Sequence, residues 1–270
     1  MKYDVAIITV IKESLDEVCL TSLKAFLDST NLKVVFIAVD NDSKKIDAHS
    51  FIKKHVPEAI VILRDKNYGF GHSCNRGAAE VEADYYFFLN PDTAIVDQSF
   101  LQKLLDFMKA CPACGIAAPR LRYPDGRIQE NCCRFHKWYT PIAQRTPFLP
   151  AEKRRQHRRY FLMEDFDHDR YRMVDWVQGS AFMIEAALFK DLGGFDPRFF
   201  MYFEDADLCR RCWEKGRPVY YVPTAEIQHT YRKESADGQG IVNSLLKNKI
   251  TRVHIYSWLK YLVKWFGKKI

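Results

Sequence analysis

Short runs of β-favouring apolar residues alternate with helical periodicity over the first ninety residues. Four such runs predict strands, at Val5–Val10, Lys33–Val39, Ile60–Leu63 and Tyr85–Leu89. Strands that alternate with helices are typical of a doubly wound, mostly parallel sheet that is flanked by helices. We therefore expect an α/β fold in which ligands bind beyond the carboxyl ends of the strands.

Helical patterns fill the gaps between these strands. The first helix is predicted to begin at a capping box made by Ser14 and Glu17. The second is predicted around Ile46–His55 and the third around Ser73–Val81. The parallel strands would then be connected by helices.

The pattern changes beyond Ala110. Two β-rich runs, Ile116–Tyr123 and Arg127–Phe135, flank a Pro-Asp-Gly turn and predict a hairpin. The stretch from Trp138 to Arg172 is basic, aromatic and without regular pattern. It is interpreted either as a mobile lid over an acceptor or as a solvated insertion. Regular structure is predicted again at Val174–Ile184, Ala186–Leu192, Glu204–Lys215 and Val219–Val222.

The excess of positive over negative charge comes from the end of the chain. The net charge is +7, from 41 basic and 34 acidic residues, and no acid follows Asp237 whereas seven basic residues do. Residues 1–237 therefore carry 34 charges of each sign, and this neutral body argues against nucleic-acid binding. We expect one domain over 1–237 and a basic amphipathic helical tail over 238–270.

The tail has two interpretations. Apolar residues from about Gly240 onward share one helical face, and aromatic residues and lysines are interleaved with them. Such a helix suits an anionic membrane surface. The alternative is a helix that packs on the body or on a second subunit in a homodimer.

No secretory signal precedes the first predicted strand, and no apolar run reaches the roughly 20 residues needed to span a bilayer. Eight cysteines in this context indicate reduced thiols. We expect a cytoplasmic protein, with peripheral attachment to the inner face of the cytoplasmic membrane as the hypothesis raised by the tail.

Carboxylates occur at two places where chemistry is expected. Asp92 lies in Asn90-Pro-Asp-Thr93, directly after an apolar strand, where a hard cation and a diphosphate could meet. Glu204, Asp205 and Asp207 open a helix, and Asp207 is expected to point away from the other two. Each segment has a plainer interpretation, as a turn or as helix N-terminal charge. Asp40 could likewise cap a turn, and His229 could be an ordinary core histidine.

The motifs become specific as an ordered set. They are Val39-Asp-Asn-Asp-Ser43, Asn67-Tyr-Gly-Phe-Gly71, Asn75-Arg-Gly77, Leu89-Asn-Pro-Asp-Thr93, Gly179-Ser-Ala-Phe-Met183, Gly193-Gly-Phe-Asp196 and Phe203-Glu-Asp-Ala-Asp-Leu-Cys209. Over roughly residues 3–232 the chain resembles glycosyltransferase family two, particularly its rhamnosyltransferase-like branch that builds bacterial surface polysaccharides. The resemblance implies the GT-A fold, a Rossmann-like, mostly parallel sheet flanked by helices, here with a C-terminal helical extension.

The resemblance also implies roles for individual residues. The donor nucleotide and sugar would contact Thr9, Asp40, Asn67, Asn75, Arg76 and Asn90. Asp92 matches the metal-binding carboxylate, and His229 is the expected additional ligand of Mg²⁺ or Mn²⁺. The family's first metal-site aspartate is Asn90 here, which leaves Asp92 as the one certain acid.

Catalysis and acceptor binding are implied in the same way. Asp205 matches the catalytic base, and Glu204 would orient it or raise its pKa through like-charge proximity. The wall of the acceptor site would be formed by Trp176, Gln178, Gly179 and Ser180.

These roles together predict an inverting, metal-dependent glycosyltransferase. It would move a sugar from a nucleoside diphosphate, dTDP-rhamnose as the first expectation and a UDP-sugar otherwise, to a hydroxyl of a glycan or lipid-linked acceptor. A nucleotidyltransferase is disfavoured because no glycine-rich loop follows the first strand. An inactive scaffolding subunit remains the non-enzymatic alternative.

Overall fold

The strands and helices of the protein are described here from a computed structural model, which covers residues 2–140, 149–230 and 249–268. The strands are β1 Tyr3–Ile11, β2 Val34–Asp40, β3 Ile60–Leu63, β4 Ala83–Leu89, β5 Thr93–Ala94, β6 Ile116–Arg122, β7 Ile128–Gln129, β8 Cys132–Cys133, β9 Arg172–Val174, β10 Trp176–Val177, β11 Ala181–Glu185 and β12 Val219–His229. The helices are α1 Glu17–Ser29, α2 Ala48–His55, α3 Phe70–Ala78, α4 Phe100–Ala110, α5 Ala151–Phe161, α6 Ala186–Asp191, α7 Glu204–Glu214 and α8 Lys249–Trp265.

One large sheet organises these elements, in the order β3-β2-β1-β4-β11-β6-β12-β5. Strands β1 to β4 run parallel to one another. Strand β11 then enters antiparallel between β4 and β6, whereas β6 and β12 are again parallel. The carboxyl ends of β1, β2 and β4 therefore lie at one edge, together with the start of β11.

The sheet is buried on both faces, as neighbouring residues of its central strands show. Ile7 and Phe87 belong to the core under α1, α2 and α4, whereas Ile8 and Phe88 belong to the core under α3, α6, α7 and α8. Because successive side chains of a strand point to opposite faces, a strand buried on both faces must be apolar at every position. This accounts for the apolar runs of β1, in which Thr9 is the one buried polar residue, and of β4.

The first four strands confirm the predicted α/β fold, but the predicted capping box is wrong. Helix α1 begins at Glu17 with Asp16 at its N-cap, and no side chain caps it. The chain is still turning at Ser14, because Glu13 has a left-handed φ of 61° and its carboxylate accepts the backbone N–H groups of Lys44 and Lys45. The helix therefore starts two residues later than the capping box requires.

The region beyond α4 contains one confirmed feature and one correction. The predicted hairpin is present, because β6 and β7 pair antiparallel with Arg122 opposite Ile128. The stretch 138–172 is not irregular throughout, since α5 occupies its middle. This helix lacks an apolar stripe because only Phe161 of its eleven residues is buried, so periodicity gave no signal. Residues 141–148 lie outside the described part of the chain.

The last described element is α8, which packs on the body through the buried rings of Tyr261 and Trp265. The predicted helix start near Gly240 and the predicted boundary at 237–238 lie outside the described residues. Across the described ranges, the helices are all too short or too polar to cross a bilayer.

Candidate active site

A cavity of about 450 Å³ opens at the carboxyl edge of the sheet. Its walls come from seven places in the chain: the start of α3, the end of β4, β8 with the residues after it, the end of α5, β10 with the β10–β11 connection, the turn into α7 with its first residues, and helix α8. Both carboxylates of the predicted catalytic pair and all four residues of the predicted acceptor wall line it; they are Glu204, Asp205, Trp176, Gln178, Gly179 and Ser180.

Asp205 is held at the first turn of α7 by two backbone groups. Its Oδ2 accepts the N–H of Gly179 at 3.0 Å, and its Oδ1 accepts the N–H of Ala206 at 2.8 Å. Burial raises the pKa of Asp205 to about 6, although the two backbone hydrogen bonds act in the opposite direction. A carboxylate with this pKa is ionised at neutral pH and is a stronger base than an exposed aspartate.

Glu204 has a different environment from its neighbour. Its side chain is buried, and its Oε2 has no hydrogen-bond partner among the described residues. Burial, followed by repulsion from Asp205, raises the pKa of Glu204 well above its usual value. Burial is the first cause of both raised pKa values, and the like-charge proximity predicted for this pair is present between the two carboxyls.

The acceptor wall is fixed by hydrogen bonds to the backbone. The indole Nε1 of Trp176 donates to the carbonyl of Arg134 at 2.8 Å, and Nε2 of Gln178 donates to that of Glu130 at 3.3 Å. Ser180 lies at the cavity edge, and its carbonyl accepts the N–H of Asn90 at 2.8 Å. This last bond joins the end of β4 to the acceptor wall.

Aromatic residues complete the cavity, and sequence reasoning missed them. His136 packs against Phe161 at 4.9 Å, Trp176 at 5.3 Å and Phe203 at 4.6 Å between ring centroids. Burial lowers the pKa of His136 to about 3, so its imidazole is neutral at physiological pH. Phe161 comes from the stretch that showed no periodicity and His136 from just before it, so only their aromatic character distinguished them.

The two predicted metal ligands are neighbours in the structure. Nε2 of His229 lies 3.2 Å from Oδ1 of Asp92. The antiparallel pairing of β12 with β5, which sets His229 opposite Thr93, brings them together. Nδ1 of the buried His229 contacts Oε1 of Gln129 at 2.8 Å. In the tautomer that donates to Gln129, Nε2 is left as the electron-pair donor beside the carboxylate.

The predicted donor residues are divided between the cavity and its surroundings. Asn90 lines the cavity. Asp40 ends β2, is buried, and accepts the N–H of Ser43 at 3.0 Å. Thr9 is fully buried in β1, and its hydroxyl has no partner within the described ranges. Oδ1 of Asn67 accepts the N–H of Gly69 at 2.9 Å, which holds the loop before α3.

Two predicted donor residues are occupied elsewhere. The side-chain amide of Asn75 makes two hydrogen bonds with the backbone of Phe195, at 2.7 and 2.8 Å, and so fixes the Gly193-Gly194 turn. Arg76 pairs with Glu80 on the exposed side of α3. The structure does not bring either residue to the cavity. Sequence reasoning missed Asn41, whose amide donates to Asn67 and whose carbonyl oxygen accepts from Tyr68 N–H.

Similar proteins of known activity were found by sequence. The chain is 29% identical over 230 residues to the N-acetylglucosaminyl-diphospho-decaprenol L-rhamnosyltransferase of Mycobacterium tuberculosis, covering 77% of this chain and 71% of that protein. It is 27% identical over 207 residues to the rhamnosyltransferase WbbL of Escherichia coli, covering 73% and 71% of the two chains.

Solved structures share the fold at lower sequence identity. GalNAc-T7 with UDP, GalNAc and Mn²⁺ superposes with a TM-score of 0.69 at 15% identity, over 98% of this chain and 48% of that one. Staphylococcus aureus TarS 1-349 in complex with UDP gives 0.57 at 14% identity, over 84% and 60%. This chain thus spans about half to three fifths of the length of these proteins.

A match to the family described as "Glycosyltransferase like family 2" extends over residues 5–255 and includes every element from β1 into α8. The sheet order and the pair of carboxylates at its carboxyl edge agree with that match. The chain therefore belongs to glycosyltransferase-like family 2, and it is a glycosyltransferase with the GT-A fold.

Proposed function

We propose that the enzyme transfers a sugar with inversion from a nucleoside diphosphate to an acceptor hydroxyl, and that Asp205 is the base. The observation that carries the proposal is the carboxylate of Asp205, oriented by two backbone N–H groups, in a cavity with an aromatic wall. Such a group can accept a proton from a hydroxyl that binds against Trp176.

The reaction balances as one displacement. The acceptor oxygen attacks the anomeric carbon and its proton passes to Oδ of Asp205, while the bond between that carbon and the diphosphate oxygen breaks. Attack opposite the leaving group inverts the anomeric configuration. Burial and repulsion raise the pKa of Glu204 well above its usual value, so as a neutral acid it would donate a hydrogen bond without competing for the proton.

The residues beside the cavity fit a divalent cation. Asp92 offers a carboxylate and His229 an imidazole nitrogen 3.2 Å away, and both types of ligand suit Mn²⁺ and, for the carboxylate, Mg²⁺. These two residues would hold the ion, and the diphosphate would supply further oxygens. A bound cation would stabilise the charge that develops on the leaving diphosphate.

The relatives support one choice of donor and acceptor. Since two relatives are rhamnosyltransferases, one of them acting on a diphospho-decaprenol acceptor, we propose dTDP-rhamnose as the donor and a lipid-linked glycan as the acceptor. UDP-sugars are the alternative donors, because UDP is bound in two of the structural relatives. A screen of sugar nucleotides, with nucleoside diphosphate release as the signal, separates these choices.

Asp205→Asn tests the central assignment. The variant should lose nearly all turnover, because the amide cannot accept the proton, and should bind the nucleoside diphosphate as the wild type does. The matched control is Asp169→Asn. Asp169 is exposed and forms an ion pair with Arg120, which is distant from it in the sequence. If Asp205→Asn keeps most of its turnover, another group is the base.

We also propose that the outer face of α8 binds an anionic membrane surface, with the enzyme peripheral on the inner face of the cytoplasmic membrane. Val263 and Phe266 are 80% and 88% exposed, and Tyr256 and Leu259 continue their stripe on the side opposite the buried Tyr261. Arg252 is exposed on the same helix, and Lys268 is exposed just after it. Each basic residue near an anionic surface contributes about 1 kcal/mol.

The membrane proposal is tested by replacing the stripe rather than by removing the helix, whose inner face is buried. Val263→Ser combined with Phe266→Ser should abolish salt-sensitive binding to phosphatidylglycerol vesicles. Val18→Ser is the control, because Val18 is an exposed valine of α1. Equal binding of the variant and the wild type would overturn the proposal. A concentration-dependent dimer that the double substitution dissociates would favour the homodimer instead.

A further inference from the structure

The backbone immediately before the catalytic pair is in an unfavourable conformation. Tyr202 and Phe203 both have a φ of 70°, in the left-handed region that residues with a Cβ avoid. Two consecutive residues of this kind persist only where surrounding contacts determine the conformation. They turn the chain sharply, so that Glu204 and Asp205 open α7 with their side chains in the cavity.

Helix α8 makes hydrogen bonds to the backbone of this turn. The hydroxyl of Ser257 donates to the carbonyl of Met201 at 2.8 Å, and the ammonium of Lys260 donates to the carbonyl of Arg198. On the other side of the turn, the carbonyl of Phe200 accepts the N–H of Phe70, at the start of α3, at 3.0 Å. The turn is thus held between two helices.

The same helix packs its rings on the two left-handed residues. The ring of His254 lies 4.8 Å from that of Tyr202 and 5.2 Å from that of Phe203, and the buried ring of Tyr261 lies 5.5 Å from that of Phe203. These contacts fix the direction of both side chains, and with them the backbone angles of the turn.

Asp207 connects α8 to the catalytic helix itself. Its fully buried carboxylate accepts from the indole of Trp265 at 3.0 Å, from Lys264 at 2.6 Å and from Arg211 at 2.8 Å. Lys264 also contacts Asp196, at the other end of the turn, at 2.7 Å. These contacts explain the third acid of the Glu-Asp-Ala-Asp sequence. They confirm that the side chain of Asp207 points away from those of Glu204 and Asp205.

We propose that α8 is a positioning element of the active site: through Ser257, Lys264 and Trp265 it holds the turn of residues 196–207 in the conformation that presents Glu204 and Asp205 to the cavity. The proposal rests on the proposed function in taking Asp205 as the base. Packing that served stability alone would need only the buried rings. It does not account for hydrogen bonds directed at two carbonyls of the turn and at the carboxylate two residues beyond Asp205.

The test uses the full-length chain with Ser257→Ala and Lys264→Met. There are two controls. The first is Thr251→Ala, because Thr251 is on the same helix and makes no hydrogen bond to the described residues of the turn. The second is Lys190→Met, because Lys190 is on the exposed surface of α6. Two readouts are combined: Mn²⁺-dependent release of nucleoside diphosphate from the sugar nucleotide that turns over, and hydrogen exchange of the amides of residues 202–207.

We expect both variants to lose at least tenfold in kcat, while their affinity for UDP or dTDP stays within twofold of the wild type. Their amides at 202–207 should exchange faster than in the controls. The acidic midpoint of kcat/KM should move to lower pH as Asp205 becomes better hydrated. Lys264→Arg should keep part of the rate that Lys264→Met loses. A role in stability alone would not produce this combination.

Two results would overturn the proposal. The first is exchange at 202–207 equal to that of the controls, and the second is faster exchange with an undiminished kcat. Neither result depends on the assignment of the base. If Asp205→Asn retains turnover, the proposed function fails, whereas the exchange measurement still reports whether α8 holds the turn.

Discussion

The pH dependence of turnover follows from the environment of Asp205. Its pKa is raised to about 6, with burial as the main cause. As a base it must be ionised, so a fall from pH 7 to pH 5 reduces its ionised fraction from about nine tenths to about one tenth. We expect kcat/KM to fall about tenfold per pH unit below 6, since kcat/KM reports the free enzyme.

Glu204→Gln separates the two explanations of that pKa. Burial and repulsion from Asp205 raise the pKa of Glu204 well above its usual value, so we expect Glu204 to keep its proton while Asp205 titrates. Replacing it by a neutral amide should therefore leave the midpoint near 6, even if the maximal rate falls. If like-charge repulsion from Glu204 raised the pKa of Asp205, the midpoint would instead drop by a unit or more.

The measurement is the initial rate of nucleoside diphosphate release between pH 4.5 and 8, at substrate concentrations well below KM. Far-ultraviolet circular dichroism at each pH excludes unfolding as the cause of the acidic limb. A midpoint near 4 in the wild-type enzyme would refute the assignment of a buried Asp205 as the base. If the Asp205→Asn variant keeps comparable turnover and a midpoint near 6, the assignment of Asp205 as the base is also refuted.

Three further outcomes are expected. Gly69→Ala should lower the free energy of unfolding in urea by about 2–4 kcal/mol, because a Cβ there would lie 1.9 Å from the carbonyl oxygen of Phe200. The control is Gly126→Ala, since Gly126 has a similar φ but open space around it. This variant should lower the free energy of unfolding by about 1 kcal/mol. Asp92→Ala should weaken Mn²⁺-dependent binding of the nucleoside diphosphate in calorimetry, and His229→Ala should do so less, whereas unchanged affinity in both would remove the metal assignment. Residues 138–172 should become protected from hydrogen exchange when donor and acceptor are added, and no change would identify them as a plain insertion.

The sequence predicted those parts of the site that depend on local pattern. Strands β1, β2 and β4 are buried on both faces and so show mainly apolar runs. The acids at the ends of the strands and at the start of α7 stand out against these runs. Asp92 and His229 could be placed only through the family resemblance, since 136 positions separate them and only the pairing of β5 with β12 brings them together.

The features that were missed depend on contacts distant in sequence. Asn75 belongs to a motif that suggests donor contact, but its amide serves the backbone of Phe195, 120 residues away. The role of α8 was missed because its inner face shows only ordinary aromatic and basic residues. Their partners are the carbonyls of the turn before Glu204, and a carbonyl carries no sequence signal.

Strand β12 contains an irregularity ahead of His229, the histidine of the proposed metal pair. Val222 faces Pro119 and Glu226 faces Arg120, so β12 contains three more residues than β6 across this step. Beyond this step Ile227 pairs with Leu121 and Gln228 with Arg122, so the three extra residues are taken up in the bulge. Deletion of Pro223-Thr-Ala225 would therefore leave this pairing, and His229 opposite Thr93, in place. A slip of one residue in the pairing beyond the bulge would instead turn His229 to the other face of the sheet.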